Sequence, residues 1–181
     1  MLKQQIEEIK KNTLFGNQVF LKSFNKADIT ETYIGWLNDP ETTRFSNQRH
    51  THHDRNACVE YLASFNDTLN LFLSVHLIEN NEAIGTMTAY VSEAHRTADI
   101  GILIGKRTVL GKGLGRDAWN TLQSWLLKKT MIRKVTAGAL RANVPMLRVM
   151  KSTGMVHEAT KRKQELLNNQ PQDILYFAKF H

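Results

Sequence analysis

Gly111, Gly113 and Gly115 occupy alternate positions in the segment Leu110-Gly111-Lys112-Gly113-Leu114-Gly115-Arg116. Ile102, Leu103 and Ile104 precede it, followed by Gly105 and the stretch Lys106 to Val109. An apolar strand thus feeds a glycine-rich turn, and the turn feeds a helix. Glycine lets a backbone come close to a ligand and take dihedrals that other residues resist. The first amides of a helix lack partners within the helix, and the helix dipole favours an anion beside them. The segment is therefore suited to cradling phosphate. Its spacing differs from the Gly-x-Gly-x-x-Gly of dinucleotide sites. It also departs from the NTPase loop: Gly105 to Gly111 is one residue too long, and Gly113 follows Lys112 where Ser or Thr is required. A tight strand–helix connection that binds nothing would show the same glycines.

Proton transfer is the second chemistry on offer. Asp99 lies in a strand whose alternation sets it opposite Ala98 and Ile100. It can serve as a general base, or as a strand-end carboxylate satisfied by Arg96. Glu93 and His95 stand just upstream and could act through water; His95 has a suitable intrinsic pKa but also suits a turn. His50, His52 and His53 share a short loop. Without a third ligand from elsewhere they are too few for zinc, so no metal is expected. Some of them, His50 among these, read better as part of an acceptor site with Asn38, Arg44, Gln48 and Arg49, since loops carry function more often than cores do. Cys58 falls on an apolar helix face and reads as packing. The three tryptophans read as core.

Several elements must position these groups. Leu2, Ile6 and Ile9 predict a short N-terminal amphipathic helix, which Gly16-Asn17 ends. Gln18 to Phe24 alternates as a strand. Asp28 is placed to cap a helix carrying Ile29, Tyr33, Trp36 and Leu37, which stops at Asn38-Asp39-Pro40. Glu41 to His53 is polar and irregular. Thr51 and Asp54 open a helix bearing Ala57, Cys58, Tyr61, Leu62 and Phe65. Leu71 to Ile78 and Ala83 to Val91 read as strands joined by a tight turn, and Ala98 to Ile104 as a third. A strong helix follows the glycine turn, with Ala118, Leu122, Trp125 and Leu126 in helical period. Arg133 to Leu140 is a strand. Pro145 starts a helix that runs to Gly154. Met155 to Ala159 and Ile174 to Phe180 are the last strands. The sum is one α/β (α+β) domain over residues 1–181, around a mostly antiparallel sheet, with residues 1–16 as a helical extension.

Bulk properties narrow the class. Apolar residues make up 41%, enough for a real core, and charged residues 23%, too few for wholesale disorder. One cysteine excludes an intrachain disulfide framework. The N-terminus is acidic where a signal peptide is apolar, and no run approaches the ~18 apolar residues of a membrane span, so a soluble cytoplasmic protein is expected. The formal charge of +7 favours polyanionic partners, CoA and nucleotide sugars among them. Only Lys161-Arg162-Lys163 clusters tightly, and no recognition-helix or stacking-strand signature is present, so nucleic acid is not the expected partner.

The glycine turn resembles the pyrophosphate-binding motif of GNAT acetyltransferases, Gln/Arg-x-x-Gly-x-Gly/Ala. Gly113 and Gly115 match its two small positions, and Leu110 stands where Gln or Arg is usual. Trp36-Leu37-Asn38-Asp39-Pro40-Glu41 resembles the end of the first helix in the branch that acetylates ribosomal-protein N-termini and polysaccharide amino sugars. Asn143 followed by a helix and Gly154-Met155, and Asp173 with Tyr176, resemble that branch's later segments, in the same order from Gln18 to Phe180. The resemblance implies a sheet splayed between its fourth and fifth strands, helices on both faces and acetyl-CoA in the gap. It implies direct transfer to an amine with no acyl-enzyme. Backbone near Leu103 and Ile104 would hold the pantetheine arm and polarise the thioester. Amides from Leu110 to Arg116, through Gly111, Lys112, Gly113, Leu114 and Gly115, would take the pyrophosphate. Asn143 would bond the cofactor arm, with Lys112, Arg116 and Arg148 near the outer phosphates. Relatives often carry Tyr after Asn143 to protonate the leaving thiolate; that position falls here at Met150.

Two acceptor classes follow from the resemblance. A nucleotide-linked amino sugar would use Arg44, Arg49 and His50 for its phosphates; a protein N-terminus would need an extended groove. A homodimer remains open. The rival readings are a nucleic-acid-binding module, suggested by the charge, and a silent acyl-CoA sensor, suggested by Met150 and Leu110.

Overall fold

The computed structural model describes residues 1–181. Leu2, Ile6 and Ile9 bury one face of helix α1 (Leu2–Lys11), whose last turn carries Lys10 and Lys11 where the dipole favours cations. These three side chains join the main core, so the N-terminal helix shares the hydrophobic centre of the domain. A two-residue strand β1 (Leu14–Phe15) leads into β2 (Val19–Ser23). Helices α2 (Glu31–Asn38), α3 (Pro40–Thr43) and α4 (Arg55–Ala63) follow. Strands β3 (Leu71–Leu77), β4 (Ala83–Ser92) and β5 (Thr97–Ile104) form a meander. The long helix α5 (Leu114–Lys129) returns the chain to β6 (Lys134–Leu140), and α6 (Val144–Ser152) precedes the hairpin β7 (Val156–Leu167) and β8 (Gln170–Phe180).

The eight strands form one sheet in the order β1-β2-β3-β4-β5-β6-β8-β7. Every pairing is antiparallel except β5 with β6, which the α5 crossover makes parallel. All seven residues of β3 are buried, because both faces of the sheet centre are covered. One face packs on α1, α5 and α6 through residues such as Leu73, Ile100, Trp119, Leu122, Val135 and Phe177. The other packs on α2 and α4 through Tyr33, Leu37, Cys58, Phe65 and Phe72. The expected helices on both faces are present. Since β1 adds a strand at the start, the expected fourth and fifth strands are β5 and β6.

Four local expectations are corrected. Thr30, not Asp28, caps α2, its hydroxyl accepting from the Tyr33 amide at 3.1 Å. Asp28 instead closes a capping box with Asn25 around a single 3-10 turn. The stretch after Asn38 contains α3, which Asp39 caps and Pro40 starts, where a missing amide costs nothing. Asp54 alone caps α4, and Phe65 lies past its end. The final hairpin is far longer than its apolar pattern indicates, and Lys161-Arg162-Lys163 lies within β7. That edge strand is mostly exposed, so its backbone ladder to β8 holds it rather than side-chain burial. Asn168 and Asn169, both at positive φ, make the turn.

Candidate active site

The β5–β6 ladder is short: Thr97 pairs with Lys134, Ala98 with Val135 and Asp99 with Thr136, and then the strands part. β5 continues as Ile100–Ile104 and β6 as Ala137–Leu140, each still paired on its outer side. The splay implied by the family resemblance is thus a wedge opening at the Asp99–Thr136 pair. The Arg96 carbonyl accepts from the Arg133 amide, so even-numbered residues of β5 aim their peptide groups toward β6. Past the ladder, those of Ile102 and Ile104 face the open wedge, where an extended ligand can pair with them. Leu103 is out of phase: its peptide groups point to Thr86 on β4 and its side chain to the opposite cavity. Of the two residues expected to bond the pantetheine arm through backbone, only Ile104 aims its peptide groups into the wedge, an orientation that Ile102 shares.

At the wide end of the wedge lies the glycine turn. Gly111 and Gly113 have φ of +78° and +82°, which side-chain-bearing residues adopt only with strain, and open space surrounds the position of a Cβ at either. Gly113 is the N-cap of α5. Asp117 is the first residue of that helix whose amide has a partner, the Gly113 carbonyl at 3.0 Å. The amides of Leu114, Gly115 and Arg116 are left free at the positive end of the dipole. Lys112 and Arg116 are exposed and form no ion pair, and Leu110 is exposed beside them. Asp117 would repel a phosphate, but its carboxylate is turned aside to accept from the amides of Asn17, Gln18 and Val19 at 3.1, 2.7 and 3.2 Å. Sequence reasoning missed this residue. Asn143 caps α6, its Oδ1 accepting from Met146 at 3.2 Å, which leaves the Nδ2 donor free near the end of β6.

Asp99 stands at the apex of the wedge. Its carboxylate accepts from the Thr136 hydroxyl at 2.7 Å, and Tyr90 is its cross-strand neighbour on β4. Arg96 does not pair with it. The residue keeps an open surface, yet the protein crowds its carboxyl, and this desolvation raises its pKa above the ordinary carboxylate value while the Thr136 bond opposes the rise. A raised carboxyl at the closed end of a cleft suits a base that must also release its proton. His95 lies in the exposed β4–β5 turn, four residues back along the strand and away from the wedge; Glu93 shares that turn. No cluster of three or more His, Cys, Asp or Glu residues that could hold a metal ion is present.

On the α2–α4 side of the sheet, beside the apex, is a cavity of about 430 Å³. Tyr33, Tyr61, Phe72 and Tyr90 supply aromatic faces to it, and Ser46, Gln48, Thr51, Thr86 and Thr88 supply hydroxyl and amide groups. His53 and Cys58 also line it, but no Lys, Arg, Asp or Glu does. The Tyr61 and Tyr90 hydroxyls lie 2.9 Å apart, and burial raises the pKa of Tyr61 and Tyr33 well above the ordinary phenol value. Cys58 is raised by burial in the same way. The alternation Thr86-Met87-Thr88-Ala89-Tyr90 was the sequence signal for this wall.

Of the residues expected at the acceptor site, Gln48 and His53 line the cavity. Asn38 is committed to the fold, its side chain bonding the backbone of His53 in both directions at 2.7 and 2.9 Å. Arg44 stacks on Phe45 at 4.3 Å, and His50 is exposed. Arg49 is mostly buried and donates to the Ser46 carbonyl at 2.7 Å and the Leu166 carbonyl at 3.0 Å, with Glu165 3.7 Å away. Asn47 also reaches Glu165. Arg49 thus ties the α3–α4 loop to the tip of the β7–β8 hairpin, across the wedge, and is not free for a phosphate.

A splayed α/β sheet, with free peptide groups along one wall and free helix-start amides at its mouth, suits an extended, anion-bearing ligand. Residues 18–156 match the family model described as the acetyltransferase (GNAT) domain, and the chain belongs to that family of acetyl-CoA-dependent N-acetyltransferases. No curated protein sequence matches significantly. Among solved structures, the fold is similar to a GNAT-family acetyltransferase from Bacillus anthracis (18% identity, TM-score 0.79, 93% of this chain and 98% of that one). It is similar to spermidine N-acetyltransferase from Vibrio cholerae in complex with CoA and spermine (16% identity, TM-score 0.81, 90% and 95%). It is likewise similar to RimL, a ribosomal L7/L12 α-N-protein acetyltransferase in complex with CoA (12% identity, TM-score 0.79, 93% and 98%). No helix is long and apolar enough to cross a membrane.

Proposed function

We propose that this N-acetyltransferase acts on a small, hydroxyl-bearing primary amine, an amino sugar, which enters the cavity on the α2–α4 side. The observation that carries the reading is the cavity lining: aromatic faces and hydroxyls with no charged side chain. A polyamine would have no carboxylate there to replace its hydration, and a phosphate would have no cation. A sugar ring matches both the aromatic faces and the hydroxyls. The nucleotide linkage expected from Arg44 and Arg49 loses its second arginine to the hairpin tie, which leaves the sugar as the favoured acceptor. That tie also narrows the side from which an extended peptide would approach.

Acetyl-CoA supplies an activated acetyl group when bound. The residues present fit it: the amides of Leu114, Gly115 and Arg116 for the pyrophosphate, Lys112 and Arg116 for the outer phosphates, and Ile102, Ile104 and Asn143 along the arm. Asp99 takes the amine's proton, directly or through one water, and Thr136 orients its carboxylate. Steady-state acetylation of glucosamine, galactosamine, spermidine and a peptide with a free N-terminus tests the reading. The amino sugars are expected to have the highest kcat/KM, by at least tenfold. Faster turnover of spermidine or the peptide would overturn it.

A further inference from the structure

Past the apex of the wedge, each wall begins with a glycine. Gly101 on β5 and Gly138 on β6 stand two residues beyond the last pair, Asp99 with Thr136, or about 7 Å further along the strands. They share the face of the sheet that carries Asp99 and Thr136. Each is covered from the strand behind it. The Thr88 hydroxyl lies 3.1 Å from where a Cβ at Gly101 would be, and Tyr176 Cε1 and Cδ1 lie 3.0 and 3.3 Å from the same point at Gly138. The Tyr176 ring therefore leans from β8 over β6, toward the wedge, and Gly138 is what allows it. A side chain at 138 would meet the ring.

The departing thiolate needs a proton, and helix α6 offers none. Its buried and half-buried side chains, Met146, Leu147, Val149 and Met150, are all apolar. Among the phenols on the Asp99 face, Tyr61 and Tyr90 are bonded to each other and Tyr33 is buried beneath Phe24 and Phe72. Tyr176 is half-buried, its hydroxyl bonds no other group of the protein, and the Lys161 ammonium stands 5.1 Å from its ring centroid. We infer that Tyr176 is a catalytic residue, whose phenol meets the thioester sulfur at the wedge and supplies the leaving group's proton. The amine nitrogen forms its bond to the acetyl carbon as the carbon–sulfur bond breaks. The sulfur takes the proton of Tyr176 Oη, and the phenolate recovers the proton shed by the nitrogen, passed on from Asp99 through water. No oxidant or further reactant is needed.

The inference rests on the proposed acetyl-CoA site, and its test separates the two. Incorporating 3-fluorotyrosine gives four 19F resonances, from Tyr33, Tyr61, Tyr90 and Tyr176, and the Tyr176→Phe variant assigns the last by its loss. Saturating acetyl-CoA is expected to raise the Tm of both proteins and to shift the Tyr176 resonance. In Gly138→Ala, which displaces the ring, that shift should shrink while the Tm rise persists. With the best amino sugar of the acceptor panel, Tyr176→Phe should lower kcat at least tenfold. A Tm rise with an unmoved Tyr176 resonance, or a kcat within twofold of wild type, would overturn this inference and leave the site reading standing. No Tm rise in any of the proteins would overturn the site reading itself and this inference with it.

Discussion

The proposed phosphate cradle and the proposed acceptor cavity lie on one domain but are built by different means. The cradle is backbone: Gly111, Gly113 and three free amides, contributed by a few consecutive residues. The cavity is side chains, gathered from α2, α4, the loop between α3 and α4, and strands β3 to β5. A backbone site is specified by local sequence, because glycine positions and a helix start fix it. A side-chain site is specified by the fold, because Tyr61 and Tyr90 come together only through tertiary packing. The first should tolerate side-chain changes that preserve dihedrals and fail when they do not. The second should respond residue by residue.

The largest effect is expected at the apex shared by the two regions. Asp99→Asn should lower kcat by about 10²- to 10⁴-fold, with the acetyl-CoA-induced Tm rise intact. The same change should raise the Tm of the free protein at pH 7. The folded pKa of Asp99 lies above its unfolded value, so its contribution to stability is fully present at low pH and is lost as pH rises through the folded pKa. Asparagine mimics the protonated form, so the gain should vanish as pH falls below the ordinary carboxylate value. A fall in Tm at pH 7 would mean that the Thr136 bond outweighs desolvation.

Arg49→Ala comes next. It removes the tie between the loop and the hairpin, with an expected loss of about 1–3 kcal/mol in urea unfolding and a raised amine KM. Were Arg49 a phosphate ligand, stability would hold and only the KM for phosphorylated amines would rise. Thr136→Val should be milder. Loss of a bond to the ionised carboxylate raises the Asp99 pKa further, so the acid limb of kcat should move to higher pH with the plateau little changed. An unmoved limb would show that another group sets it. The smallest effect is expected for Arg44→Ala, a surface change of about 0.5 kcal/mol or less, with amino-sugar KM unaltered.

The same division explains what the sequence made legible. The splay and Asn143 follow from the family resemblance, while the glycine turn and Asp99 are local features of a helix start and a strand that could be placed before any coordinates. Asn38 and Arg49 could not, because nothing at a helix end or in a polar loop distinguishes a ligand-binding side chain from one that holds the loop. Arg49 is bonded to Leu166, more than a hundred positions away. The tail of β7 was missed for the opposite reason. Its residues carry no apolar alternation, and only its partner β8 makes it a strand. Asp117 has the position of an ordinary first-turn acid, and only the fold brings it to the amides of residues 17–19.

The backbone cradle is the part of the account most open to a single decisive measurement. Calorimetric titration of acetyl-CoA into the wild-type protein and into Gly113→Asp isolates it. The substitution forces a side chain into a backbone conformation at φ +82° and sets a carboxylate against the expected pyrophosphate, while the acceptor cavity is untouched. Wild type should bind one acetyl-CoA per chain, and the variant should remain folded by circular dichroism and show at least a hundredfold weaker binding. Equal affinity in a folded variant would contradict the cradle and place the phosphates elsewhere.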